Sequence, residues 1–418
     1  MIKAVKGTRD ILPPAISVWN HVESISRQVF HNYNFQEIRT PIFEETSLFS
    51  RGVGEETDIV TKEMYTFKDR DDSSLTLRPE NTASVIRAYI EHRLDQIPGL
   101  QKLFYIGPMF RRERPQKGRY RQFSQIGAEV IGSDSPAIDA EVIEMVCHLL
   151  DACGVTGYKL FLNSVGTPES RPAFVEAIRQ RLLPVMDQLS PDSQRRLETN
   201  PLRILDSKAP EDQSHIETLP SIHDYLDEDS KNHFARVREY LEDRHIAYTV
   251  NPRMVRGLDY YTRTTFEIVH EGALGSQNSV LGGGRYDGLA ESLGSRVAAP
   301  GIGFSIGEDR LVMTVEEAHP GKYTHTLDLF IAPMDEASFR HSSLIARGLR
   351  NEGLVVELAA AGKLKRSMEL ASKLGARFAL LVGEQEVTNR LYSLKNMATG
   401  EQISIPKEDL KKYICQTP

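Results

Sequence analysis

The stretch FYIGPMFRRERPQKGRYRQFSQIGAEVIG, residues 104–132, decides the fold. It reads as two strands, within 102–113 and 121–132, joined by the short basic loop RPQKGRY at 114–120. That pattern predicts an antiparallel hairpin. Side chains alternate along a strand, so Arg121, Phe123, Gln125, Gly127 and Glu129 share one face. Gln122, Ser124, Ile126, Ala128 and Val130 share the other, which is the more apolar and suits a core. The first face sets a cation, an aromatic plane, an amide and a carboxylate in a row, with Gly127 leaving space above the sheet. At ~3.3 Å per residue the Cα atoms of Gln125 and Glu129 stand ~13 Å apart, which leaves room for one small polar ligand between them. The partner strand adds Arg111 and Glu113 on one face with Gly107 and Met109. A guanidinium fork suits phosphate. The plain alternatives are a solvated sheet face and an ordinary cross-strand ion pair. The loop concentrates Arg114, Lys117 and Arg119, with Arg121 just beyond. In a chain of net charge −7 it is either a phosphate-backbone contact or a solvated turn.

Upstream, Ile16, Trp19, Val22, Ile25, Val29 and Phe30 fall at helical spacing after Pro13-Pro14. EIRTPIFEE (37–45) follows as a strand interrupted by Pro41, which fits an edge or a strand end. In TLRPENTASVIRAYIEHRL (76–94) Pro79 ends a strand, and Asn81 or Thr82 can cap the next helix. Downstream comes a helix over 136–151. Residues 166–245 then turn polar and helical, with acidic clusters such as DYLDEDS (224–230), and read as a helical insertion. The sheet resumes at TRTTFEIVH (262–270), followed by LGGGRYDGL and by GIGFSIGEDRL, a strand running into a helix. Neither glycine-rich segment completes a dinucleotide or Walker fingerprint. Arg310 reads instead as a cation at the end of an open nucleotide site. In RGLDYYTRTTFE (256–267), Arg256, Asp259, Tyr260 and Tyr261 crowd a strand start; a core tyrosine pair is the bland alternative.

After the Pro/Gly-containing linker HPGKYTHT (319–326), strands alternate with helices from 327 to a hairpin ending near 405. This predicts a small α/β domain with parallel strands. KLKR (363–366), Lys373 and Arg377 form its basic cluster. The three cysteines have no C-x-x-C spacing, so neither a disulfide framework nor a zinc site is expected, which suits a reducing compartment. The N-terminus MIKAVKGTRDILPP has no secretory apolar stretch, and no apolar run spans a membrane. A cytoplasmic protein is expected.

Together these segments resemble the histidyl-tRNA synthetases, a family of class II aminoacyl-tRNA synthetases, from KGTRDILPP (6–14) to GEQISI (400–405). The helix 16–31 with the strand ending at Pro41 resembles the first class II motif. Residues 104–132 resemble the next, and GIGFSIGEDRL (301–311) resembles the third. LRPENT (77–82), RGLDYYTRTTFE and GGGRYDGL (282–289) are the histidine-specific signals.

The resemblance implies an α+β fold, with an antiparallel sheet flanked by helices over residues 1–320. It includes the insertion at 166–245 and adds an anticodon-binding α/β domain at 327–418. It implies a histidine–tRNA ligase that uses ATP with Mg²⁺, works as a homodimer, and charges tRNA(His). Histidine would be held by Glu80, Thr82, Gln125, Glu129, Arg256, Tyr260, Tyr261 and Tyr286, with Glu129 and Tyr261 reading the imidazole. Adenine would lie between Phe123 and Arg310, with Glu113 at its amino edge. Arg111 and Arg256 would grip the α-phosphate and Arg310 the γ-phosphate. These three arginines are the catalytic candidates, and no protein-held metal site is implied. Arg114, Gln116, Lys117, Arg119 and Arg121 would meet the tRNA acceptor end. Two positions depart from the family pattern. Asn81 stands where many relatives have glycine, where a left-handed or capping conformation would preserve the turn. Ser124 stands where some have histidine, on the face turned from the pocket. The rival readings are a synthetase-like regulatory subunit of ATP phosphoribosyltransferase and a pseudo-synthetase that only senses uncharged tRNA.

Overall fold

A computed structural model describes residues 2–272, 278–323 and 326–417. Two compact units divide the chain, Met1–Tyr323 and Thr324–Pro418.

In the first unit, α1 (Ile16–Asn32) leads to the two-residue strand β1 (Gln36–Glu37). Then β2 (Phe43–Glu45), α2 (Thr46–Val53), β3 (Tyr65–Lys68) and β4 (Ser74–Leu77) follow, and α3 (Thr82–Glu91) comes next. The stretch containing Pro41 is therefore two short strands in two different sheets, and β1 is an edge strand. The long hairpin is β5 (Gln101–Phe110) and β6 (Gln122–Ile131), followed by α4 (Pro136–Ala152) and β7 (Lys159–Ser164). Helices α5 (Arg171–Leu182), α6 (Pro191–Thr199), α7 (Pro210–Ile216) and α8 (Glu228–Asp243) come before β8 (Thr249–Val250) and β9 (Thr262–Val269). The unit closes with β10 (Ser279–Arg285), α9 (Leu289–Ser292), β11 (Gly301–Gly307) and α10 (Glu308–Ala318).

The main sheet runs β1-β5-β6-β11-β10-β9-β7-β8. Its inner pairings are all antiparallel, and only the edge strands β1 and β8 pair parallel. One face is dry. Phe104, Ile126, Ala128, Val130, Phe266 and Phe304 pack there with Val22 and Phe30 of α1, Ile143 and Leu149 of α4, and Leu311 of α10. These strand residues alternate with the site residues, so burying one set necessarily presents the other. The opposite face carries Tyr105, Met109, Phe123 and Tyr286.

Three local features differ from the sequence reading. First, β5 stops at Phe110, so Arg111 and Glu113 lie beyond the ladder. Arg111 N–H still reaches Arg121 O at 2.9 Å, but Arg112 N–H turns to Glu63 O at 2.7 Å, and this pulls the chain off the sheet. Second, Asn81 neither adopts a left-handed conformation nor caps α3 with its side chain; its φ is −119°. The cap is Glu80, whose carboxylate accepts from Thr82 N–H at 2.8 Å and Ala83 N–H at 2.9 Å. Asn81 Oδ1 instead accepts from Thr40 Oγ1 at 2.6 Å. Third, the polar helical stretch divides. Phe174, Ile178, Leu197, Ile204 and Ile216 build a core of their own, whereas Phe234, Val237 and Leu241 of α8 join the main core.

The second unit comprises β12 (Leu327–Pro333), α11 (Glu336–Asn351), β13 (Val356–Leu358), α12 (Leu364–Lys373), β14 (Ala376–Val382), α13 (Glu384–Asn389), β15 (Leu391–Asn396), β16 (Gln402–Pro406) and α14 (Leu410–Gln416). Its sheet order is β13-β12-β14-β15-β16, with β12 parallel to both β13 and β14. The terminal helix α14 lies past the last element that the sequence predicts; Leu410 and Ile414 anchor it in the unit's core. Arg377 does not join a basic surface cluster. It pairs with Asp328 at 3.1 Å and donates to Ile414 O at 3.1 Å, which ties α14 to the sheet.

Candidate active site

The floor of the site is backbone. In β10, a Cβ on Gly282 would sit 1.9 Å from Arg256 Nη2; in β11, a Cβ on Gly303 would sit 1.7 Å from Glu129 Oε2. Two functional side chains thus lie flat on strands that only glycine permits. The space above Gly127 is not open, as the alternation suggested. Tyr105, its cross-strand partner, folds over it.

Glu129 lies buried among hydroxyl groups. Its carboxylate accepts from Thr82 Oγ1 at 2.7 Å, Tyr286 Oη at 2.7 Å and Tyr105 Oη at 3.4 Å. It is fully buried. Burial, with Glu80 adding to it, pushes the carboxyl up to about 8 despite those three donors. Burial also raises Glu80 above the usual carboxylate range. The Tyr260 ring stands 4.8 Å from Tyr261 and 5.9 Å, edge-on, from Tyr286. Tyr286 is set by its neighbour Arg285, which pairs with Asp139 at 2.6 Å; His233 holds Asp139 from the other side at 2.8 Å. Gln125 reaches Ser305 Oγ at 3.4 Å, while its buried Oε1 has no partner among the described residues. A buried acceptor without a partner is costly, so this atom is poised for a ligand donor.

On the same side lies a cleft of about 610 Å³ whose lining includes Arg111, Glu113, Phe123, Gln125, Arg256 and Arg310. Arg111 donates to Pro79 O at 2.9 Å, and its guanidinium stands 5.3 Å from the Phe123 ring centroid. Arg256 pairs with Glu267 at 2.8 Å. Burial works to lower the Arg256 pKa, but Glu267, Tyr261 and Asp206 together hold the value above the ordinary one. Burial, and then Arg119, lower Arg310 to about 10, against the opposing pull of Glu113 and Glu267. Arg310 is satisfied meanwhile by the carbonyl oxygens of Ser279 and Gly118.

Of the five basic-loop candidates, Arg114, Gln116 and Lys117 are exposed. Arg119 instead turns inward to Glu113 at 2.8 Å. Arg121 packs along Gly7. Sequence reasoning missed Tyr105, Arg285 and Glu267, and also Arg203, Asp206 and Lys208, which line the cleft from the helical stretch. The register of the hairpin would have exposed Tyr105, because it faces Gly127. The others are brought in by packing between segments distant in sequence.

A glycine-floored antiparallel sheet under an arginine-lined cleft is the architecture of the class II aminoacyl-tRNA synthetases. The family model described as histidyl-tRNA synthetase matches residues 7–311, and that described as anticodon binding domain matches 328–417. Histidine–tRNA ligase of Solibacter usitatus is 66% identical, with 98% of each chain covered. That of Koribacter versatilis is 58% identical, covering 99% of this chain and 96% of its own. The crystal structure of apo S. aureus histidyl-tRNA synthetase superimposes with a TM-score of 0.81 at 40% identity, covering 99% of this chain and all of that one. An ATP phosphoribosyltransferase regulatory subunit/histidyl-tRNA synthetase from Bacillus halodurans is 20% identical with a TM-score of 0.67, a likeness of fold alone. The chain belongs to the histidyl-tRNA synthetase family.

Proposed function

We propose that the cleft activates L-histidine with ATP, releasing pyrophosphate, and that the enzyme then transfers histidine to the terminal adenosine of tRNA(His). The observation that carries this reading is a buried carboxylate, Glu129, with hydroxyl partners, on the strand face it shares with Gln125, which lines a cleft together with Arg111, Arg256 and Arg310. The carboxylate accepts an imidazole N–H. The unpartnered Gln125 oxygen and Glu80 take the α-amino end, with Thr82 between. Tyr260, Tyr261 and Tyr286 wall the ring.

The histidine carboxylate attacks the α-phosphate, and it needs no protein base because it is ionised at neutral pH. Two anions must meet, so the work is electrostatic and positional. Arg111 enters from the β5 side, and Arg256 from across Gly282. Phe123 and Glu113 take the adenine, and Arg310 closes on adenine and γ-phosphate after exchanging carbonyl partners for phosphate. Mg²⁺, carried in by the triphosphate, would neutralise part of its charge. The protein offers it no dedicated cage: among the described residues no three His, Cys, Asp or Glu side chains cluster, and Glu113 and Glu267 already pair with arginines.

The exposed residues Arg114, Gln116 and Lys117 meet the acceptor end, and the second unit meets the anticodon. A homodimer is supported by Ile42, Phe43 and Phe67, which are 44%, 53% and 45% exposed on or beside the small sheet of β2, β3 and β4. Among the described residues no helix is long and apolar enough to cross a membrane; we place the enzyme in the cytoplasm. The test is histidine-dependent exchange of pyrophosphate into ATP, followed by charging of tRNA(His). A regulatory subunit would bind histidine and exchange nothing. The match of residues 328–417 to an anticodon-binding domain weighs against that alternative.

A further inference from the structure

The segment before α1 closes on the basic loop. Arg121 donates its backbone N–H to Gly7 O at 2.7 Å. Gly7, at φ +92°, lies so near that a Cβ would sit 2.8 Å from the Arg121 side chain. Two residues on, the Arg9 guanidinium stands 4.2 Å from the Tyr120 ring centroid and 5.8 Å from that of Trp19. The same guanidinium donates to Asp309 Oδ1 at 2.7 Å. The other Asp309 oxygen accepts from the Ser124 N–H of β6 at 3.2 Å. Asp309 is 4% exposed; burial raises its pKa, and Ser124 and Arg9 oppose that rise. The next residue is Arg310, and Gly118, Tyr120, Asp309 and Arg310 all line the cleft.

We propose that Arg9 is a positioning residue for the ATP end of the cleft. One planar cation stacks on Tyr120 and pairs with Asp309, so it pins the basic loop to the start of α10 and thereby holds Arg310. The inference rests on the assignment of the outer cleft to ATP. The geometry calls for arginine in particular. Its face can stack while its edge bonds a carboxylate, whereas an ammonium can satisfy only one of the two. Without Arg9, the Asp309 carboxylate stays buried with backbone donors alone and no cation, which favours withdrawal of the turn that carries Arg310.

The test uses the full-length protein with Arg9→Ala, Arg9→Lys, Asp309→Asn and the Ala/Asn double variant. Pyrophosphate exchange gives KM for ATP, KM for histidine and kcat; trypsin, which cuts after Lys117, Arg119 and Arg121 but not at the Arg114–Pro115 bond, reports loop opening without reference to activity. Arg9→Ala should raise KM for ATP and the rate of cleavage in the loop by about 10-fold each, as for a stacked contact and an ion pair lost together. KM for histidine should stay unchanged, and kcat should change by less than about 3-fold. Arg9→Lys should recover part of both effects. The double variant should be less impaired than the product of the two single effects, since it leaves no unpaired carboxylate. An Arg9→Ala protein with unaltered KM for ATP and unaltered cleavage overturns the proposal, as does a parallel loss in every constant together with the thermal midpoint. If the unsubstituted protein shows no exchange, the assignment to ATP is what fails, and the trypsin rates still decide whether Arg9 pins the loop.

Discussion

Glu129→Gln isolates the energetic consequence of burying one carboxylate beside the cleft. The substitution keeps shape and volume. The Thr82 and Tyr286 hydroxyls that donate to the carboxylate can rotate to accept from an amide. Raising the carboxyl from 4.5 to about 8 costs the ionised form about 5 kcal/mol at ~1.36 kcal/mol per pH unit, an upper figure that relaxation and water entry reduce. An acid whose pKa rises on folding stabilises the fold fully below its unfolded value. That contribution disappears as pH climbs through the folded value. The ligand-free protein should therefore lose stability relative to Glu129→Gln steadily from about pH 5 to about pH 8, by about 2–5 kcal/mol in all. The single tryptophan, Trp19, is buried in the main core, so its fluorescence during urea unfolding follows this unit. Saturating histidine supplies a ring N–H to the carboxylate and should narrow the gap, while histidine affinity falls about 10- to 100-fold in the variant as a charge-assisted bond is lost. An offset between the two proteins that is the same at every pH would refute the reasoning.

Arg256→His should lower kcat of exchange by about 100-fold or more, with much smaller changes in histidine and ATP binding, because the guanidinium acts on charge that develops in the transition state. Gly282→Ala should mimic that loss without touching Arg256, since the added Cβ would sit 1.9 Å from its Nη2; equal kcat in Gly282→Ala and the parent would remove the floor argument. A chain ending at Tyr323, the last residue of the first unit, should retain exchange if it remains dimeric, yet charge tRNA poorly. Its tRNA binding should also depend less steeply on salt; undiminished charging by a dimeric truncation would overturn the role given to the second unit.

The alternation of 121–130 is enough to separate core from site, because a period of two leaves no choice once one face is apolar. What it does not convey is the partner opposite each residue. Tyr105 over Gly127 follows from register, and register depends on the turn. The end of β5 escapes for a similar reason: Arg112 leaves the sheet to bond Glu63, a residue with no local mark in the sequence. Arg285, Asp139 and His233 read as scattered charges, and only packing reveals that each is satisfied by the others. Glycines 282 and 303 are legible as unusual and as failing a nucleotide-loop pattern. Their use becomes clear when Arg256 and Glu129 are seen resting on them. The short α14, only seven residues long, carries too little periodicity to stand out.

A floor made of main chain also limits how the enzyme can be redesigned. A pocket walled by side chains is enlarged by trimming them, but Gly282 and Gly303 have nothing to trim, and any replacement drives Arg256 or Glu129 upward. Accommodation of a bulkier amino acid must come from the side chains gathered around Glu129, where Tyr105, Tyr260 and Tyr286 can be shortened. Two of those changes carry a liability. Tyr105 and Tyr286 donate to Glu129, and removing a donor deepens the penalty on a carboxylate already held near neutrality. Selection for new amino-acid specificity would thus be expected to alter Glu129 together with a tyrosine, and rarely either alone.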